Sequence, residues 1–240
     1  MTRTAAVSAA VIALALVGAV AVTGYAAANS ASNAQLRGVV MFVGDSNVTL
    51  SSAQIVAETT WETHLDDGYV PVLAARVGAS IRTPDCMVAQ GCTTDNYWQI
   101  RLAALLGSVH PNAIVNNLGI NDTAALGTPT TRGYAAYGAK IDWFMGLLPK
   151  GVPVFWTNLP CTIEPKNRLT GCRTVDAALA AATKRWPDLV DVNWAGTADS
   201  HPDWMIFQGT SPEVHYTTTG DANWASLVVK TLDAHLHSQT

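Results

Sequence analysis

Apolar positions along the chain fall into two kinds of run. Five are short and nearly continuous, and each stops at turn-forming residues: 39–43, 69–77, 113–118, 152–157 and 189–193. Runs of this length and composition predict buried strands. Pro71 interrupts the second run, which places it at a sheet edge, because proline donates no ladder hydrogen bond. Elsewhere apolar residues recur at helical spacing. Trp98, Leu102, Leu105, Leu106 and Val109 mark a helix over 96–109, and Tyr134, Tyr137, Ile141, Phe144, Met145 and Leu148 mark one over 132–148. Further helices are predicted over 49–60, with Leu50, Ile55 and Val56 inward, over 175–186, with Thr174 as cap, and over 220–235. The stretch 195–216 reads as irregular.

Strands alternating with helices imply right-handed crossovers and a parallel sheet covered on both faces. The expected fold is α/β, a three-layer α/β/α sandwich on a five-stranded parallel sheet. In such sheets ligands bind outside the carboxyl ends of the strands. The residues that follow the apolar runs are therefore the ones to search for chemistry.

Composition narrows the setting. The chain has 240 residues, 49% hydrophobic and 13% charged, with a formal charge of −4. That is enough for one domain with a real core, and it argues against disorder and against nucleic acid as a partner. At the N-terminus Arg3 precedes a small and apolar run from Ala5 to Val22, and Ala26-Ala27-Ala28 fits a small-residue cleavage site. Residues 1–28 are expected to be a cleaved export signal, or else a membrane anchor, with 29–37 a polar linker and 38–240 the domain. The protein is then secreted or held in the cell envelope. Four cysteines agree with export. Neither Cys86/Cys92 nor Cys161/Cys172 has zinc or redox spacing, and of the three connectivities local pairing is favoured. Each bridge would contribute roughly 2–3 kcal/mol by the chain-entropy estimate.

Three of these strand ends carry candidate chemistry. Gly44-Asp45-Ser46 follows the first run, Gly78 ends the second, and Gly119-Ile120-Asn121-Asp122 follows the third. His215 stands near the C-terminus, ahead of the last predicted helix. In order and spacing these blocks resemble the SGNH hydrolases, the GDSL esterase/lipase family, over roughly residues 38–235. The resemblance implies a flavodoxin-like strand order. It also implies Ser46 as nucleophile, His215 as base, and an oxyanion hole formed by the backbone amides of Ser46 and Gly78 with the Asn121 side chain.

Those residue types suit the work. A serine hydroxyl is a weak nucleophile unless an oriented base lies within hydrogen-bond reach. Negative charge developing on an attacked carbonyl needs donors already aimed at it, and an Asn amide donates without bringing a charge to desolvate. One position departs from the family pattern: Pro212 stands where the resemblance places an aspartate, three residues before the histidine. Glu213, Asp199, Asp203 or a backbone carbonyl are the candidates to orient the ring instead.

Other chemistry is not encoded. There is no Gly-x-Ser-x-Gly elbow, no His-Glu-x-x-His and no phosphate-binding glycine motif, and no metal or cofactor is expected. Asn47-Val48-Thr49 and Asn121-Asp122-Thr123 match the glycosylation pattern by accident, since a glycan on Asn121 would remove the donor. Trp61, Trp194 and Trp204 fall in or beside loops where an aromatic face would suit a sugar ring or acyl chain. The expected activity is hydrolysis of an O-acyl ester, such as an acetylated glycan, a lipid ester or a small acyl ester. The alternatives are acyl transfer within the envelope, or an inactive carbohydrate- or lipid-binding module on the same fold. The oligomeric state is not encoded.

Overall fold

The computed structural model describes residues 38–59, 69–82, 96–126, 131–161, 169–208 and 211–237. Five strands, β1 (Gly38–Gly44), β2 (Tyr69–Ala75), β3 (Ala113–Asn116), β4 (Val154–Thr157) and β5 (Leu189–Val192), form a parallel sheet in the order β2-β1-β3-β4-β5. This is the flavodoxin-like order of a three-layer α/β/α sandwich. Strand β2, with Pro71 opposite Val40, is at the edge as its proline requires.

The continuous apolar runs are explained by which core each residue enters. Met41 and Val43 of β1, Ile114 of β3 and Val154 and Trp156 of β4 point into one core. There they meet α3 (Tyr97–Leu106), α5 (Thr131–Met145) and α6 (Leu169–Ala182) through Trp98, Leu102, Tyr137, Ile141, Phe144 and Leu179. Val40 and Phe42, Val115 and Phe155 point the other way. They pack on Ile55 of α2 (Ser52–Thr59) and on Trp224, Val228 and Leu232 of α8 (Thr218–His237). A strand covered on both faces has no polar face to alternate.

Several segments differ from the sequence reading. The predicted 49–60 helix is two: α1 (Ser46–Leu50) begins at Ser46 itself and stops at Ser51, and α2 follows. That break resets the helical phase, so Leu50 is 52% exposed rather than inward. Tyr134 is also exposed, at the outer margin of its helix. A helix, α4 (Ile120–Leu126), starts at Asn121's own turn, where a loop was expected. Helix α6 starts six residues before the expected position, so Thr174 is no cap; its hydroxyl donates to the Thr170 carbonyl inside the helix.

The largest departure is at 195–216. In place of an irregular stretch there is a short helix, α7 (Trp194–Ala198), a 3-10 turn (Pro202–Trp204), and an antiparallel pair, β6 (Met205–Gln208) with β7 (Ser211–Tyr216). Cys161 and Cys172 form a disulfide, as local pairing anticipated. Cys86, Cys92, Trp61 and residues 1–37 lie outside the described residues. No described helix is long and apolar enough to cross a membrane.

Candidate active site

The site begins with the close approach of α1 to β1. A Cβ on Gly44 would sit 2.2 Å from Val48 Cγ2, so only glycine lets the helix turn back over the strand end. Asp45 then caps α1: its Oδ1 accepts from the Asn47 amide at 2.9 Å. Ser46 is the first residue of the helix. Neighbouring strand ends are stitched to this one, with Arg76 N donating to the Gly44 carbonyl (3.1 Å) and Asn117 N to the Val43 carbonyl (2.9 Å).

The Gly78 loop is a tight turn closed by Ala79 N to the Arg76 carbonyl at 3.0 Å. Gly78 adopts φ +74°, the left-handed conformation such a turn requires and glycine accepts without strain. The Arg76 guanidinium stacks over the Tyr97 ring, 4.5 Å from its centre, and fixes the turn to α3. Asn121 then links all three loops. Its Nδ2 donates to Asp45 Oδ2 (3.0 Å) and to the Ala79 carbonyl (2.9 Å). Both amide hydrogens are thus engaged, and a third acceptor at this nitrogen displaces or shares one of them. Beside it, buried Asp122 accepts from Ile81 N (3.0 Å) and pairs with Lys140 Nζ (2.9 Å), tying the Gly78 loop to α4 and α5.

His215 arrives from the β6–β7 pair. Its Nε2 lies 2.9 Å from Ser46 Oγ, across 169 positions of sequence. With the neutral ring protonated at Nδ1, the serine hydroxyl donates to Nε2, which is the arrangement a general base needs. The 2.9 Å spacing lies within normal hydrogen-bond range.

Charge around the site is unusual. Asp45 is fully buried, and desolvation pushes its carboxyl up to about 7 against the pull of the Asn47 amide and the Asn121 side chain. Asp221, in the first turn of α8, is also buried and raised for the same reason. The Ser51 hydroxyl donates to it at 2.5 Å and the charge of His215 acts on it, both favouring the ionised form.

Of the acids proposed from sequence to orient the ring, Asp203 is strongly exposed and lies 3.9 Å from His201 Nδ1. Asp199 ends α7, and its charge acts on Asp176. The side chains of Pro212 and Glu213 lie outside the described residues. Asp221, whose carboxyl feels the charge of His215, was not considered from sequence because the search ran upstream of the histidine. Asn47 was missed for another reason: as part of a glycosylation triplet it drew no attention. It is buried, and its Nδ2 donates to the Val214 carbonyl at 3.1 Å.

Of the tryptophans considered as platforms, Trp194 and Trp204 are core. Trp194 is fully buried and stacks on Trp204 (5.6 Å, 11° between planes), which is itself covered by His201 (4.0 Å, 6°). Tyr216 of β7 meets Trp194 edge-on at 5.4 Å. This aromatic stack is what the β6–β7 pair sits on. Near the end of α8, His235 packs edge-on against Phe155 at 5.4 Å. Among the described residues, Cys161, Cys172 and Asp176 gather as metal-type ligands, but the disulfide takes both sulfurs.

No protein-family model and no curated protein matches the chain. Solved structures do. The C-terminal catalytic domain of Streptococcus pneumoniae peptidoglycan O-acetyltransferase A is similar over 84% of this chain and 93% of its own, at 15% identity and a TM-score of 0.54. A family 3 carbohydrate esterase of Clostridium thermocellum is similar over 82% and 97%, at 14% identity and a TM-score of 0.56. A lipolytic G-D-S-L protein of Veillonella parvula is similar over 80% and 97%, at 14% identity and a TM-score of 0.54. At these identities the likeness is one of fold, and it extends over nearly the whole of each of those proteins.

Proposed function

We propose that the chain is an exported serine hydrolase of the SGNH type that cleaves O-acyl esters. The observation that carries this reading is the 2.9 Å approach of His215 Nε2 to Ser46 Oγ at the carboxyl end of β1. Ser46 Oγ attacks the acyl carbonyl while its proton passes to His215 Nε2. The Ser46 and Gly78 amides face the developing oxyanion, and Asn121 joins them by releasing one of its two present acceptors. The alcohol leaves with the proton from the imidazolium, and the acyl group stays on Ser46. Water, deprotonated by His215, then releases the acid. A protein of similar fold is an O-acetyltransferase and others are esterases, and a sugar hydroxyl in place of water would make the same acyl-enzyme a transferase. The acyl ester of a cell-envelope glycan is the substrate class this favours.

The test is burst-phase hydrolysis of p-nitrophenyl acetate by the mature chain beside Ser46→Ala and His215→Ala. A burst in wild type, and a loss on the order of 10⁴ or more in each variant, is expected. Adding a sugar acceptor and analysing products separates transfer from hydrolysis. A second reading, a binding module on the same fold, is favoured by Pro212 at the aspartate position. Equal ligand binding by wild type and Ser46→Ala, with turnover in neither, would establish it.

A further inference from the structure

The reaction proposed above needs the His215 ring held against Ser46 through two successive steps. The two residues come from different parts of the fold. Ser46 opens a helix anchored on the inner strand β1, whereas His215 rides on a two-stranded ribbon outside the five-stranded sheet. One side chain bridges the two. Asn47, the residue after the serine, donates from Nδ2 to the carbonyl of Val214, the residue before the histidine.

The cost of that residue is informative. Asn47 is 3% exposed, and its Oδ1 is buried with no hydrogen-bond partner among the described residues. A buried polar atom left without a partner is destabilising. Leucine shares the branching, with bulkier methyl ends, and carries no such penalty, so that oxygen gives asparagine no stability advantage here.

The anchored end of the bridge is firm. The Asn47 amide is held by Asp45 Oδ1, Thr49 N and Thr49 Oγ1 both donate to the Asp45 carbonyl (3.2 and 3.0 Å), and Ser51 is held by Asp221. What the Nδ2 bond sets is therefore the position of the strand carrying His215.

We propose that Asn47 is a positioning residue for His215: through the Val214 carbonyl it fixes the imidazole at hydrogen-bond distance from Ser46 Oγ. The proposal rests on the Ser46–His215 reading. A misplacement of about 1 Å at such a pair is worth on the order of 10² in rate.

The experiment compares Asn47→Leu and Asn47→Asp with wild type in the mature chain, reading kcat and KM for p-nitrophenyl acetate together with the thermal midpoint. Leucine keeps the branching and removes the donor. Aspartate keeps the shape and turns an acceptor toward the carbonyl. Asn47→Leu should keep a thermal midpoint close to that of wild type, with kcat roughly 10- to 100-fold lower and KM little changed. Asn47→Asp should lose at least as much turnover. In a His215→Ala background Asn47→Leu should add nothing, because the ring it positions is gone.

Wild-type kcat in both variants overturns the proposal and leaves the Ser46 reading intact. So does a loss that tracks a falling thermal midpoint, or one that persists undiminished without His215. Absence of any Ser46-dependent turnover in wild type overturns the reading and the proposal together.

Discussion

The two halves of the candidate site are built differently. The Ser46 half belongs to the sheet. Strand β1 is paired on both sides, its end is stitched to β2 and β3 by backbone bonds, and Gly44 lets α1 pack directly on it. Asn121 and Asp122 cross-link the loops around it. The His215 half is a four- and six-residue ribbon with a register shift between Met205 and Phe207. It leaves Ile206 and Phe207 exposed and is held by the Trp194–Trp204 stack, the Thr217–Trp204 backbone bond and Asn47. On the proposed reading, the half that bears the developing oxyanion is cross-linked into the sheet. The half that moves protons rests on the packing of Met205, Val214 and Tyr216 and, among the described residues, on few bonds to the rest of the fold, so those bonds are where activity and stability separate.

The largest effect should come from removing the ribbon's seat. Trp204 is 8% exposed between His201 and Trp194, and burial losses of this size cost about 3–5 kcal/mol. If the halves are as distinct as argued, Trp204→Ala should loosen the ribbon before the sheet. Native-state hydrogen exchange should speed across 205–217 while β1 and β3 amides stay protected. Uniform acceleration in both regions would show one cooperative unit and erase the distinction. Gly44→Ala probes the other half. Its new methyl meets Val48, which is fully buried, so a cost of about 1–3 kcal/mol is expected in urea unfolding, spread over the sheet rather than the ribbon.

The same contrast governs what could be read from sequence. The sheet was legible because β1, β3 and β4 are buried on both faces and so print as unbroken apolar runs ending in Gly44, Asn117 and Asn158 turns. The ribbon was not. Its strands are short, Pro212 argues against a strand, and no alternation marks an inner face. Trp194 and Trp204 drew attention as loop aromatics because nothing local shows that α7 and the 3-10 turn fold them onto each other. Helix α4 was hidden because Gly-x-Asn-Asp reads as a turn, and Asp122 in its first turn is equally at home in either. Asn47 and Asp221 became visible only in three dimensions, since each acts on His215 from a residue that no motif spacing connects to it.

A third test uses pH. Burial pushes both Asp45 and Asp176 from 3.8 to about 7, with the charges of Asp191 and Asp199 adding to the effect at Asp176. The folded state therefore holds protons that the unfolded chain has released. The stability this gives is fully present below about pH 4 and is lost as pH rises through about 7. The thermal midpoint should climb as the protein is acidified from pH 8 toward 5, with the two groups together worth up to a few kcal/mol by linkage. Asp176 accepts from Leu159 N at 2.8 Å, and its other oxygen lies 3.1 Å from Cys161 Sγ. Asparagine there imitates the protonated acid. Asp176→Asn should raise stability at pH 8 and shallow the slope; an unchanged slope would assign the whole effect to Asp45, inside the Ser46 half.

The smallest effect gives the sharpest control. Tyr137 is fully buried on the sheet side, below Gly119, and its hydroxyl has no hydrogen-bond partner among the described residues. Burial and the charges of Asp122, Asp176 and Asp45 push its phenol up, so the group stays neutral and unsatisfied. Tyr137→Phe removes that atom and little else, and should raise the unfolding free energy by about 1 kcal/mol, seen as a higher urea midpoint with unchanged slope. Asn47→Leu also removes a buried unsatisfied oxygen, and it gives up the bond to Val214 as well. The two substitutions thus share the loss of one orphaned oxygen and differ in that Asn47 reaches the His215 strand. Turnover should survive Tyr137→Phe and fall in Asn47→Leu; equal turnover in both would mean that the ribbon needs no such bridge and that the two halves are less separate than their construction implies.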